Sequence, residues 1–133
     1  MEITAKEFKR TELITIKGRV DSLEAPQFAE ALEAASRRGY YRIVVDMSHL
    51  EYMSSAGFRA LGDAQRNSKR HDRGEVMLAQ VPDRVREALD LIGFAEYFSI
   101  FDTVSSALDF VANLQANDPT ISRSAPEKQR KSS

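Results

Sequence analysis

Residues 42–61 read RIVVDMSHLEYMSSAGFRAL. The stretch opens on a continuous apolar run, Ile43 to Val45, of the kind that suits a central strand covered on both faces. Asp46 is expected to end that strand, with His49 in the loop that follows. Near Ser55 the period changes. Phe58, Leu61 and Ala64 recur at helical spacing, so a helix is expected from about Ser55 to His71, stopping at Gly74. VMLA, residues 76–79, then reads as another short strand. A buried strand, a helix and a second strand make a parallel crossover unit, and that unit decides the fold class.

The flanks extend the same pattern. Upstream, EITAKEF (2–8) and LITIKGRV (13–20) alternate as half-buried strands, with Ile3, Ala5, Ile14 and Ile16 on the inner side. The polar KRTE between them suggests an antiparallel hairpin, whose turn type stays open without an Asn-Gly pair. After Asp21, the residues Phe28, Leu32 and Ala35 share one helical face. Pro26 lies in the first turn and Arg37, Arg38 and Gly39 mark the end. Downstream, PDRVREALDLIG (82–93) predicts a helix with Val85, Leu89 and Ile92 inward and Gly93 past its end. YFSIF (97–101) predicts a last strand. Thr103 then caps a helix carrying Val104, Ala107, Leu108 and Val111 inward. The expected order is β-β-α-β-α-β-α-β-α. This is an α/β fold: a mixed sheet with an N-terminal antiparallel hairpin, then alternating parallel strands and four helices.

Composition bounds the function. With 133 residues, 42% of them hydrophobic, the chain suits one domain with one core. A formal net charge of −1 gives no general attraction to nucleic acid. There is no cysteine, so disulfides, thiol catalysis and thiolate metal sites are excluded together. The charged start MEITAKEFKR has no apolar segment typical of a signal peptide, and no apolar run approaches the ~18 residues of a membrane span. A cytoplasmic protein is expected. From Asn117 the chain reads NDPTISRSAPEKQRKSS, with Ile121 its one large apolar side chain. Residues 1–116 are therefore expected to form the domain and 117–133 a disordered tail.

Few residues offer chemistry. His49 and His71 have no i, i+4 partner, and no metal site or cofactor is expected. Neither G-x-x-x-x-G-K-[ST] nor G-x-G-x-x-G occurs, so a phosphate cradle is missing. SSAG lacks the G-x-S-x-G elbow that exposes a serine nucleophile. A phosphoaspartate receiver would need a lysine after a late strand, where this chain has Asp102. A binding protein rather than an enzyme is expected.

Ser54 and Ser55 then carry the question. A serine before a helix is ordinarily an N-cap, its hydroxyl accepting from a backbone N–H two or three residues on. One serine is enough for that. The second would stand at N1 with its hydroxyl outward, near unpaired N–H groups where a helix tolerates an added phosphate well. Ala56 and Gly57 would keep this first turn low enough for another protein to approach the backbone, at a helix cost of up to about 1 kcal/mol for the glycine. Arg59, Asp63, Arg66 and Arg70 form one stripe along the same helix. A solvated face and a partner surface are both open for it. From the residues alone, cap and switch both stand.

VVDMSHLEYMSSAGFRAL resembles the signature of STAS domains, specifically of bacterial anti-sigma factor antagonists: a strand, an L-x-[FY]-[MIL] step, S-S-A-G or D-S-[STA]-G, then a helix. GRVDSLEAPQF and LDLIGFAEYFSIFDTVSSAL resemble two further family segments in the same order. The three together span nearly all of residues 1–114. The resemblance implies a STAS-type fold and a protein that binds an anti-sigma factor serine kinase, releasing its sigma factor. It implies inactivation by phosphorylation of Ser55, with Ser54 as a competing hydroxyl, and restoration by a serine phosphatase. It also matches Gly57 to the family glycine and Asp21 to an acid near the partner-binding edge. With the helix stripe and the low first turn, the expected partner surface takes in Asp21, Ser54, Ala56, Gly57, Arg59 and Arg66, on a protein expected to be a monomer when free. Ser54 departs from the aspartate of the best-known pattern. The alternative is a non-phosphorylated STAS subunit of a larger regulatory or transporter assembly, in which Ser55 belongs only to the cap.

Overall fold

Strand β1 (Glu2–Phe8) pairs antiparallel with β2 (Thr11–Val20), and β2 begins the run of parallel pairings that follows. A computed structural model describes residues 1–71 and 73–116; the expected tail, 117–133, lies outside the described residues. After β2 come α1 (Ala25–Arg37), β3 (Arg42–Met53), α2 (Ser55–Ser68), β4 (Glu75–Ala79), α3 (Asp83–Leu91), β5 (Ser99–Phe101) and α4 (Val104–Ala116). The five strands stand in the order β1-β2-β3-β4-β5. β2 to β5 are parallel, so the expected order of elements and the mixed sheet are both present.

The sheet divides two unequal cores. On one face Ile14, Ile16, Ile43, Val45, Val76 and Leu78 pack against helical residues Phe28, Leu32, Leu61, Val85 and Leu89, all buried. These come from α1, α2 and α3. On the other face Val44, Met77 and Ala79 meet Ala107 and Val111 of α4. The uninterrupted apolar run 43–45 is thus explained: alternate side chains of β3 serve both cores.

Several local expectations are corrected. The hairpin turn is the two residues Lys9 and Arg10, not four. Their φ angles of 48° and 67° are those of a type I′ turn, whose twist matches the flanking strands even without Asn-Gly. β1 is an exposed edge rather than half-buried: Ala5 is exposed and Ile3 only partly covered. Asp46 does not end β3, which runs on to Met53 and contains His49. Two register shifts against β2, between Thr15 and Lys17 and between Gly18 and Arg19, insert extra β3 residues. These bulges break the alternation that strand reading depends on. Met47 and Leu50 are consequently both buried despite odd spacing. Helix α2 ends at Ser68, short of His71, and β5 excludes Tyr97 and Phe98. Ile92 is the C-cap of α3 and half exposed, so it does not point inward as expected.

Helix ends follow their sequence signals. Gly39, at φ 90°, closes α1: its N–H donates to Ser36 O and that of Tyr40 to Ala35 O, the paired bonds of a glycine C-cap. Thr103 Oγ1 accepts from Ser106 N at 3.0 Å before α4.

Candidate functional site

The serine pair sits where β3 hands over to α2. Val20 and Met53 are register partners at the ends of β2 and β3, and Ser54 N donates to Val20 O at 2.8 Å. Ser54 has extended backbone, φ −79° and ψ 170°, and is the N-cap; its Oγ accepts from Gly57 N at 3.3 Å. Ser54 O receives Phe58 N, the first bond of the helix. Ser55 is the first helical residue and is exposed, whereas Ser54 is partly covered. The two hydroxyls therefore differ in kind: one is engaged by the backbone, the other faces outward at the positive end of the helix.

Gly57 is corrected. It is buried rather than lowering the outer surface. A Cβ there would lie 2.5 Å from Met53 Cγ and 3.2 Å from Val20 Cγ1. The glycine lets the first turn of α2 settle onto the ends of β2 and β3. This internal packing accounts for its helix cost. Ala56 is partly buried against the same core.

Asp21 also has internal employment. Its Oδ1 accepts from Leu23 N at 3.1 Å and from Glu24 N at 3.0 Å, fixing the loop that leads into α1. That loop leaves Leu23 90% exposed, the most exposed of the large apolar side chains described. Arg59, Asp63 and Arg66 are exposed along the outer side of α2, whereas Arg70, also exposed, lies past the helix end at Ser68 and drops out of the expected stripe. Arg66 Nη1 pairs with Asp63 Oδ1 at 2.9 Å. Ser55, Arg59 and Arg66 thus share a surface with Ala56 at its edge, while Gly57 lies beneath it and Asp21 is tied into the neighbouring loop.

Two features escaped the sequence reading. Arg19 lies over the Tyr52 ring, 4.5 Å from its centroid, on the part of β2 and β3 that extends past the β4 pairing. Gln65, fully buried in α2, donates from Nε2 to Val76 O at 3.2 Å and to Tyr97 O at 2.9 Å. Its Oε1 accepts from Val76 N at 2.7 Å. Gln65 falls four residues after Leu61 and seven after Phe58, so its place on the apolar stripe was the available signal.

No group of three or more His, Asp or Glu among the described residues could hold a metal ion, and no described helix is long and apolar enough to cross a membrane. Of the described ionisable groups, Tyr40 stands out: a hydrogen bond to Glu7, helped by desolvation, pushes its phenol upward. That group lies by the hairpin, on α1's C-terminal side, away from the serines.

Comparison with known proteins gives the frame. The STAS domain family model matches residues 2–107. BtrV of Bordetella bronchiseptica, assigned as an anti-sigma factor antagonist, is 29% identical over 107 residues, covering 80% of this chain and 91% of BtrV. A solved structure from Thermotoga maritima, with the same assignment, superposes with a TM-score of 0.77 at 18% identity, covering 83% of this chain and 94% of that one. The anti-sigma factor antagonist SpoIIAA, solved in unphosphorylated and phosphorylated forms, gives TM-scores of 0.68 at 20% identity. The phosphorylated form, from Bacillus, covers 83% of this chain and 99% of its own. At these identities the structural likeness concerns the fold.

Proposed function

Because the chain belongs to the STAS domain family, we propose that it is an anti-sigma factor antagonist, a binding protein whose partner is an anti-sigma factor with serine kinase activity. Ser55 is the phosphoacceptor. The observation that carries this reading is the unequal placement of the two serines. Ser54 Oγ caps the helix, while Ser55 stands exposed at N1 with no structural duty in the cap. BtrV and SpoIIAA, both assigned as antagonists, support the choice of partner.

In this scheme the kinase transfers the γ-phosphoryl group of ATP to Ser55 Oγ. The hydroxyl proton is lost to the kinase and ADP leaves. A serine phosphatase reverses the state by hydrolysis. The new phosphate adds about −1.5 to −2 charges and three acceptor oxygens to the outer face of α2. A partner that packs there in the unmodified state meets both added volume and added charge.

The test is incubation of the purified protein with ATP and the cognate kinase, followed by mass spectrometry of the peptide containing residue 55. Wild type should gain one phosphate and Ser55→Ala none, with Ser54→Ala still modified. Phosphate uptake by Ser55→Ala but not Ser54→Ala would move the acceptor to Ser54. Stable complex formation with no phosphate on any variant would favour an unmodified subunit of a larger assembly.

A further inference from the structure

The outer side of α2 carries two arginines, Arg59 and Arg66, that are not equivalent in the unmodified protein. Arg66 is held by Asp63 at 2.9 Å, and both are exposed. Arg59 is exposed too, but among the described residues it makes no ion pair. It stands four residues after Ser55, so the two share a helix face with Cβ atoms about 5–6 Å apart. Arg66 stands eleven residues from Ser55, about 16 Å along the axis at 1.5 Å per residue. The other nearby cation, Arg19, is stacked on Tyr52.

We propose that Arg59 is the internal receptor for a phosphate on Ser55: the modified serine and this guanidinium close an i, i+4 pair across the first turns of α2. The proposal rests on the reading of Ser55 as phosphoacceptor and says how the modified state is held. An anion N-terminal to a cation at this spacing is the favourable sense for a helix. The planar guanidinium can give two parallel N–H bonds to phosphate oxygens, which an ammonium cannot. Phosphorylation then changes the surface twice over. It places an anion at residue 55 and withdraws the one cation of this turn that an approaching carboxylate would meet.

The test uses full-length protein with phosphoserine installed at position 55 during translation, so that no kinase is needed. The 31P shift is followed against pH at low salt. The second ionisation of phosphoserine is ordinarily near 6. In Arg59→Gln its midpoint should rise by about half a pH unit relative to the unsubstituted protein. Arg66→Gln should leave the midpoint in place. Arg59→Lys should restore part of the difference, since the charge returns without the fork. Equal midpoints for Arg59→Gln and the unsubstituted protein would overturn the proposal, as would an equal rise in Arg66→Gln. The outcome is independent of the kinase assay. A protein that no kinase modifies would refute the reading of Ser55 while leaving this measurement intact, and the converse holds.

Discussion

Two helices begin side by side at the same end of the sheet, and they use that position differently. α1 follows β2, α2 follows β3, and the bond from Ser54 N to Val20 O ties the two starts together. At α1, Asp21 receives Leu23 N and Glu24 N through its carboxylate, and Ala25 N through its carbonyl. Pro26, in the first turn, has no N–H to satisfy. The polar groups of that start are spent on the chain itself. At α2, Ser54 does the capping and Gly57 does the packing, which leaves Ser55 and Arg59 exposed and uncommitted. Two helix starts of similar electrostatic character therefore differ in what they leave available: α1 is closed by its own loop, and α2 presents a hydroxyl and a cation. An acidic residue near a helix start is no indication of a contact surface until its own hydrogen bonds have been counted.

That contrast can be broken by substitution, most severely at Gly57. Gly57→Val would place branched carbon where Met53 and Val20 already lie, and overpacking of this kind costs about 1–3 kcal/mol. Urea unfolding should show a loss of ~2 kcal/mol. A neutral result would mean that the first turn of α2 is loosely seated. Next comes Asp21→Ala, expected to lower stability by about 1 kcal/mol through the loss of two accepted N–H bonds. Phosphorylation of Ser55 should be unaffected. A fall in partner affinity with unchanged unfolding free energy would place Asp21 in the interface instead. The smallest effect separates the serines themselves. Ser54→Ala should cost about 0.5–1 kcal/mol as a lost cap, and Ser55→Ala within ~0.3 kcal/mol of nothing. Equal losses would show that both hydroxyls share the cap.

The element order was legible because each element carries its own period: alternation in β2, and Phe28, Leu32 and Ala35 or Val85 and Leu89 at helical spacing. The end of β3 was not, because bulges shift which residues face inward, and no local composition marks them. The position of the serine pair at the head of α2 followed from the motif and the change of period. What Asp21 and Gly57 do could not follow from the same motif. Both lie in a segment where surface and packing roles use the same small or acidic residues, and only the neighbours across β2 and β3 distinguish them. Gln65 was missed for a related reason. A polar residue on an apolar stripe looks like an error in the stripe until the backbone groups it satisfies are seen.

Gln65 also fixes what kind of signal α2 can carry. One amide is bonded to both polar groups of Val76 in β4 and to the carbonyl of Tyr97 ahead of β5. Sliding the helix by a single residue, about 1.5 Å, would strand the two buried backbone groups of Val76 at about 1–3 kcal/mol each and break the partly buried bond to Tyr97 O. The helix is bolted to the sheet behind it, so a push at its head has no piston to drive. Under the proposed reading, a phosphate added at residue 55 would act on the face where it is placed, to be read there by touch.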